Sequence, residues 1–228
     1  MTETRDESHR MKNAQLPKPR AILFDWDNTL INNWPAIHVA LNTTLAAMGH
    51  PTWSYKETLQ RVRASLRDSF PIMFGDRWLE AQDIYYKTFE ARHLDGLAEK
   101  PGAGDMLRAL AKAHINLGVV SNKTGRFLRK EAQYLGWNSL FSQLVGAADA
   151  TRDKPDPAPV IMALAGTGIT PGPNVWFVGD AGIDMRCAYN SGCTPILIGE
   201  ADPQTAEFND CAPAAHVADC LAFQQLVI

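Results

Sequence analysis

The sequence predicts an α/β fold, a doubly wound parallel sheet with a block of helices inserted into it, and three observations carry that expectation. Five short apolar runs, at 21–24, 115–120, 143–147, 174–178 and 195–198, alternate with helical segments, the rhythm of parallel strands covered on both faces. The stretch between Asn32 and Lys100 breaks that rhythm, because it holds helical periodicity and no convincing strand. The chain has 228 residues, which at about 150 residues per domain is roughly one and a half domains and suits one domain with an insertion.

Element by element, residues 1–19 carry many charges and no apolar period, so they read as a flexible tail. Ala21-Ile-Leu-Phe24 is a continuous apolar run stopped by an Asp-rich loop, as a buried strand would be. In 35–50, Ile37, Leu41, Thr44, Leu45 and Met48 recur at helical spacing until Gly49 and Pro51 end the pattern. Further helices are expected at 54–68 and 76–94, separated by Phe70-Pro71 and Gly75. After Pro101-Gly102 helices are expected at 105–113, 125–135, 157–166 and 183–191, between the remaining four strands. The resulting division is a core of 20–32 and 100–228 with a helical cap of 33–99.

Composition excludes several classes. At 46% hydrophobic and 21% charged residues the chain is an ordinary globular protein rather than a disordered or collagen-like one. Lys and Arg number 22 against 25 Asp and Glu, a formal charge of −3, too little to recruit nucleic acid or an anionic membrane by charge. No apolar run is long enough for a membrane span and no secretory leader is visible, so a cytoplasmic setting is expected. Cys187, Cys193, Cys211 and Cys220 fit neither a redox pair nor a zinc pattern and read as reduced thiols, and the six histidines are scattered.

In a doubly wound sheet ligands bind beyond the carboxyl ends of the strands, and four strand ends carry informative residues. Strand alternation puts Asp25 and Asp27 on one side and Trp26 on the other. Such a carboxylate pair supplies a nucleophile and a general acid, or oxygen ligands for a hard cation, although Asp27 and Asn28 also suit a plain turn. Ser121 and Asn122 end the second core strand, where a hydroxyl and backbone N–H groups hold an anion or simply cap a helix. In Asp153-Lys154-Pro155-Asp156-Pro157, the Asp156-Pro157 pair suits a helix start, while Lys154 is either simply solvated or, if held at the sheet edge, placed to neutralise a phosphate. Asp180 and Asp184 begin a helix four residues apart with no basic residue between them, which suits either acids favoured by the helix dipole or a repelling pair that a cation relieves.

The four motifs, in this order and at these strand ends, resemble the haloacid dehalogenase (HAD) superfamily of phosphotransferases: Asp-x-Asp at Asp25/Asp27, Ser121, Lys154, and Gly-Asp-x-x-x-Asp at Asp180/Asp184. The likeness runs through nearly all of the chain from Ala21, and the insert resembles the C1-type cap of the phosphoglycolate phosphatase-like group. It implies a Rossmann-like core and a Mg²⁺-dependent phosphatase of a small phosphomonoester, phosphoglycolate-like or a sugar phosphate. Asp25 would attack phosphorus to form an aspartyl-phosphate, and Asp27 would serve as acid and then base. Ser121, the Asn122 amide and Thr29 would hold the phosphate; Asp25, the Asp27 carbonyl and Asp180 would hold the metal, with Asp184 supporting. Dehalogenating members lack the second Asp of the first motif, and Asp27 is present here. Asn28 departs from the Gly of many members, but Asn tolerates positive φ.

The cap segment 61–70 carries Arg61, Arg63 and Arg67, with Arg77 beyond it, which suits either a solvated basic helix face or a substrate loop in which Arg67 contacts an anionic or hydroxylated leaving group. Phe74 and Trp78 are expected in the cap core. The partner would be a small phosphorylated metabolite, with monomer and homodimer both open. Two alternatives stand beside the phosphatase: a phosphomutase of the β-phosphoglucomutase kind, and a non-catalytic binding protein, which retention of Asp25, Asp27 and Lys154 disfavours.

Overall fold

The computed structural model describes residues 16–62 and 64–228. Most of the expected N-terminal tail, and Arg63 of the cap segment, lie outside the described residues. Residues 16–19 are not frayed: Leu16 packs on the main core, Pro19 is buried, and the Pro17 carbonyl accepts a hydrogen bond from Trp176 Nε1 at 2.9 Å.

The core is a six-stranded, wholly parallel sheet of β1 (Ala21–Phe24), β4 (Asn116–Thr124), β5 (Gln143–Ala147), β6 (Val175–Gly179), β7 (Thr194–Ile198) and β8 (Ala215–Val217). Its order is β5-β4-β1-β6-β7-β8. β1 is central, and its side chains alternate between two cores, Ile22 and Phe24 on one face, Ala21 and Leu23 on the other. The first face is covered by α5 (Ala103–Lys112), α6 (Gly125–Tyr134) and α9 (Cys220–Val227), through residues such as Leu107, Leu128 and Phe223. The second is covered by α7 (Ala158–Ala163) and α8 (Gly182–Asn190), through Val160, Ala163 and Ala188. The all-apolar β1 follows from this double burial.

The expected α/β class is therefore met, with additions. β8 extends the sheet beyond the fifth expected strand and α9 adds a covering helix, and two 2-residue strands, β2 (Ile31–Asn32) and β3 (Ala98–Glu99), pair antiparallel where the insert leaves and re-enters the core. Between them lie α1 (Trp34–Ala47), α2 (Tyr55–Arg61), α3 (Leu66–Phe74) and α4 (Trp78–Glu90).

The helix expected over 54–68 is two helices. Val62 is extended at φ −81° and ψ 95°, and Ser65 is the N-cap residue of α3. Pro71 does not separate helices as expected but sits inside α3, and the break comes at Gly75, whose φ is 53°. The insert has its own apolar core, in which Phe70, Phe74, Tyr85 and Phe89 pack against Ile37, Leu41 and Leu45. Phe74 is buried there and Trp78 packs on its edge, as expected. The four cysteines are buried and unpaired, and among the described residues no helix is long and apolar enough to cross a membrane.

Candidate active site

The carboxyl ends of β1, β4 and β6 and the loop before α7 open into one cavity. β1 delivers the first pair of acids. The Asp25 N–H continues the ladder to the Val178 carbonyl at 2.8 Å, and a tight loop follows, closed by Asn28 N–H to the Ile31 carbonyl at 2.7 Å. Asn28 adopts φ 64° there, the left-handed conformation that Asn accepts where most side chains do not. Asp25 and Asp27 both line the cavity, while Trp26 turns the other way into the core against Trp137 and Phe141. The expected alternation thus holds through the loop.

Lys154 is 3% exposed and lies between two acids: Nζ donates to Asp25 Oδ1 at 2.5 Å and to Asp184 Oδ1 at 2.7 Å. Burial alone would discharge it, but Asp184 and Asp25 outweigh that and raise its pKa above the usual lysine range. Its backbone is fixed by Asn122, whose Oδ1 accepts from the Lys154 N–H at 3.0 Å while Nδ2 donates to the Lys154 carbonyl at 3.2 Å. The Asn122 side chain is thus committed to placing the lysine. Ser121 lines the cavity, and its Oγ accepts from the Lys123 N–H at 3.1 Å.

Carboxylate oxygens of Asp25, Asp180 and Asp184 lie within 4.8 Å of one another. Against these three acids stands, among the described residues, the ammonium of Lys154, so the cluster carries excess negative charge. Burial, then repulsion from Asp25, pushes Asp180 up to about 6. Burial also pushes Asp184 up to about 7, with Lys154 opposing and Asp25 and Asp180 adding to the rise. A compact, acid-rich, all-oxygen set of this kind fits a hard divalent cation such as Mg²⁺. Thr29 is 1% exposed, donates to Asp180 Oδ1 at 3.3 Å and does not line the cavity. Asn28 Nδ2 donates to the other Asp180 oxygen at 2.7 Å. Both side chains donate to Asp180 and support it.

Asp27 belongs to a second network that the sequence reading did not contain. Lys123 Nζ donates to Asp27 Oδ1 at 2.7 Å and to Glu131 Oε2 at 2.6 Å, with its side chain 4% exposed. Burial pushes the Asp27 carboxyl up to about 7; Lys123 opposes this, and Glu131 and Asp25 reinforce it. Glu131 is fully buried, and although burial opposes its charge, Lys123 and hydrogen bonds from His93, Lys123 and Trp26 hold its pKa below the usual range. One sequence signal was available: Glu131 follows Phe127 and Leu128 at helical spacing and precedes Ala132, a charge on the buried stripe of α6.

The expected cap contact is differently placed. Arg67 Nη2 pairs with Asp153 Oδ1 at 2.7 Å, the Asp153 side chain being 1% exposed, and Arg67 is not among the cavity-lining residues. The cap wall of the cavity is instead built from Trp34, Ile37, Val62, Leu66, Tyr85 and Phe89.

Residues 22–198 match a family model described as haloacid dehalogenase-like hydrolase. The chain is 27% identical to a phosphoglycolate phosphatase of Salmonella paratyphi A over 243 residues, covering 88% of this chain and 94% of that one. It is also 27% identical to a phosphoglycolate phosphatase of Pseudomonas syringae pv. tomato over 197 residues, covering 79% and 69%. A HAD-superfamily hydrolase from Ehrlichia chaffeensis is similar in structure at TM-score 0.63 and 27% identity, covering 92% of this chain and 96% of that one. A haloacid dehalogenase-like family hydrolase from Streptococcus pneumoniae shares the fold at TM-score 0.77 and 23% identity, covering 90% and 96%.

Proposed function

The chain belongs to the haloacid dehalogenase-like hydrolases, and on that footing we propose that it is a Mg²⁺-dependent phosphatase that cleaves a small phosphomonoester through an aspartyl-phosphate. The observation that carries the reading is the convergence of Asp25, Asp27, Ser121, Lys154, Asp180 and Asp184 on one cavity. The names of the relatives add a phosphomonoester as the class of substrate.

In this reading Asp25 is the nucleophile. Its carboxylate meets a phosphate dianion with a repulsion of about 4 kcal/mol per charge pair at 4 Å and an effective dielectric of 20, so attack requires compensating positive charge. Lys154, already seated on Asp25, contributes one such charge. Mg²⁺ held by Asp25, Asp180, Asp184 and the Asp27 carbonyl would supply the rest as a Lewis acid on phosphoryl oxygen. The O–P bond to Asp25 forms as the ester O–P bond breaks, and the departing alkoxide takes its proton from the Asp27 carboxyl. Burial favours the protonated form of Asp27 that this step uses. Asp27, now ionised, takes a proton from the water that attacks phosphorus, which releases inorganic phosphate and restores Asp25. Ser121 and the Asn122 backbone N–H hold the phosphoryl oxygens, and the cap excludes bulk water while the intermediate lasts. The reaction suits a soluble metabolite and a cytoplasmic setting.

A phosphate-release screen over small phosphomonoesters, with and without Mg²⁺, tests the proposal, with Asp25→Asn as control. Metal-dependent release that disappears in Asp25→Asn is expected. Release that survives in the variant would sink the mechanism, and transfer of phosphate to a second substrate without release would point to a mutase.

A further inference from the structure

Glu131 lies on core helix α6, outside the cavity lining, yet its carboxylate receives four donors from four separate parts of the chain. Oε2 accepts from Trp26 Nε1 at 2.7 Å and from Lys123 Nζ at 2.6 Å. Oε1 accepts from Asn33 Nδ2 at 2.8 Å and from His93 Nδ1 at 2.8 Å. An ionised carboxylate only accepts, so His93 carries its proton on Nδ1.

The two oxygens serve different regions. Trp26 lies between Asp25 and Asp27 in the loop after β1, and Lys123 passes the contact on to Asp27. Asn33 directly follows β2, where the chain enters the cap, and His93 lies between α4 and β3, where it comes back. Asn33 Nδ2 also donates to the His93 carbonyl at 3.1 Å, which ties the two cap connections to each other. Trp26, Asn33, His93 and Glu131 are all at most 2% exposed. A buried carboxylate with every oxygen satisfied is rigid, and removing one partner exposes the remainder to the cost of unpaired polar burial.

We propose that Glu131 is a positioning residue for Asp27: through Lys123 it fixes the carboxyl that handles the leaving-group proton, and through Asn33 and His93 it makes that placement conditional on a docked cap. The inference rests on the phosphatase reading, in which Asp27 is the acid. Its consequence is chemical selectivity. An ester whose alcohol leaves without help does not need a well-placed acid, whereas a poor leaving group does. A residue that only stabilises the fold would slow both alike.

The test compares single-turnover release of alcohol from p-nitrophenyl phosphate and from phenyl phosphate by the full chain with Mg²⁺. Glu131→Gln keeps the shape but turns an amide NH₂ toward donors that need an acceptor, so it weakens the hold on Lys123. The expected result is a rate loss of about 100-fold on phenyl phosphate and about threefold or less on p-nitrophenyl phosphate, with KM little changed. Glu131→Asp, which retains the charge, should recover part of the discrimination. Should Glu131→Gln fail to fold, Asn33→Ala breaks only the cap connection and should show the same leaving-group dependence to a smaller degree. Equal losses on both esters, or a change confined to KM, would overturn the inference while leaving the phosphatase reading intact. If the unaltered chain releases phosphate from neither ester nor from any metabolite in the screen, the phosphatase reading itself fails.

Discussion

A methyl group placed on Gly179 would collide with Cγ of Asp184, a residue that is buried and held by Lys154 Nζ and the Ala181 N–H. Glycine at the end of β6 is therefore a requirement of the acid cluster, because the strand backbone and a candidate metal ligand occupy space that any Cβ would need. Gly179→Ala should displace Asp184 and lower Mg²⁺ affinity by about 10- to 100-fold, with a parallel loss of phosphate release. Calorimetric titration with Mg²⁺ checks this; unchanged affinity would mean that Asp184 does not contribute to the metal site.

The acid cluster should also make the metal-free chain sensitive to pH. Asp180 and Asp184 have folded pKa values raised to about 6 and about 7, so the folded state binds protons more tightly than the unfolded chain. Such groups cost stability progressively as pH rises from near 4 to above 7. Without metal, Tm should fall between pH 5.5 and 7.5 on this account. Mg²⁺ at about 100 times its Kd should add roughly 2.7 kcal/mol, and Asp184→Asn should blunt both responses. Thermal melts over pH with EDTA or Mg²⁺ decide it, and a flat Tm indifferent to Mg²⁺ would contradict it.

Arg67 and Asp153 join the cap to the loop that carries Lys154. The Asp153 carboxylate is buried, with Oδ1 also accepting from the Ala148 N–H at 2.9 Å and Oδ2 without a partner among the described residues. Arg67→Ala strips this carboxylate of its counter-charge and loosens the cap. The expected outcome is a loss in kcat/KM of roughly tenfold, about 1.4 kcal/mol, of similar size for every ester in a panel. A loss confined to particular esters would show direct contact with substrate, the role expected from sequence.

Asn28 allows a backbone test. At φ 64° a residue with Cβ is strained, and Asn28 offsets this through its bond to Asp180 and by accepting from Lys100 Nζ at 3.3 Å. Asn28→Ala should be less stable than Asn28→Gly by about 1–2 kcal/mol, the penalty of the left-handed conformation. Urea denaturation of the two variants measures the difference directly, and equal midpoints would refute the strain.

Much of the core and its site was legible because both depend on short-range rules. A parallel strand buried on both faces is written as an apolar run, and the residues just past its end are the ones that meet at the sheet edge. Asp25 and Asp180, which directly follow β1 and β6, could be found in this way, whereas Ser121 lies inside β4 and Lys154 in the loop before α7, and these two stand out only through the likeness of the four motifs together to a known family. β2, β3 and β8 could not, since strands of two or three residues leave no periodicity to read. Helix boundaries in the cap slipped because Pro71 looks like a breaker in sequence, while the chain accommodates it inside α3. Long-range pairing was out of reach. The partners of Glu131 lie 105, 98 and 38 residues away for Trp26, Asn33 and His93, and the use of Arg67 depends on a carboxylate that only the fold brings beside it.

The narrow ribbon of β2 and β3 has a consequence for how this protein can change. Ile31 pairs with Glu99 and Asn32 with Ala98, so the chain departs from the sheet and comes back at points only about 5 Å apart. A two-residue reverse turn could span that gap. The helical block is thus an interchangeable part, open to replacement at a single seam without altering the order of the six strands. The exchange carries two conditions. A transplanted block must bring its own donors for Glu131 in place of Asn33 and His93, and a counter-charge for Asp153 in place of Arg67, or the graft will leave under-satisfied charges beneath the new joint.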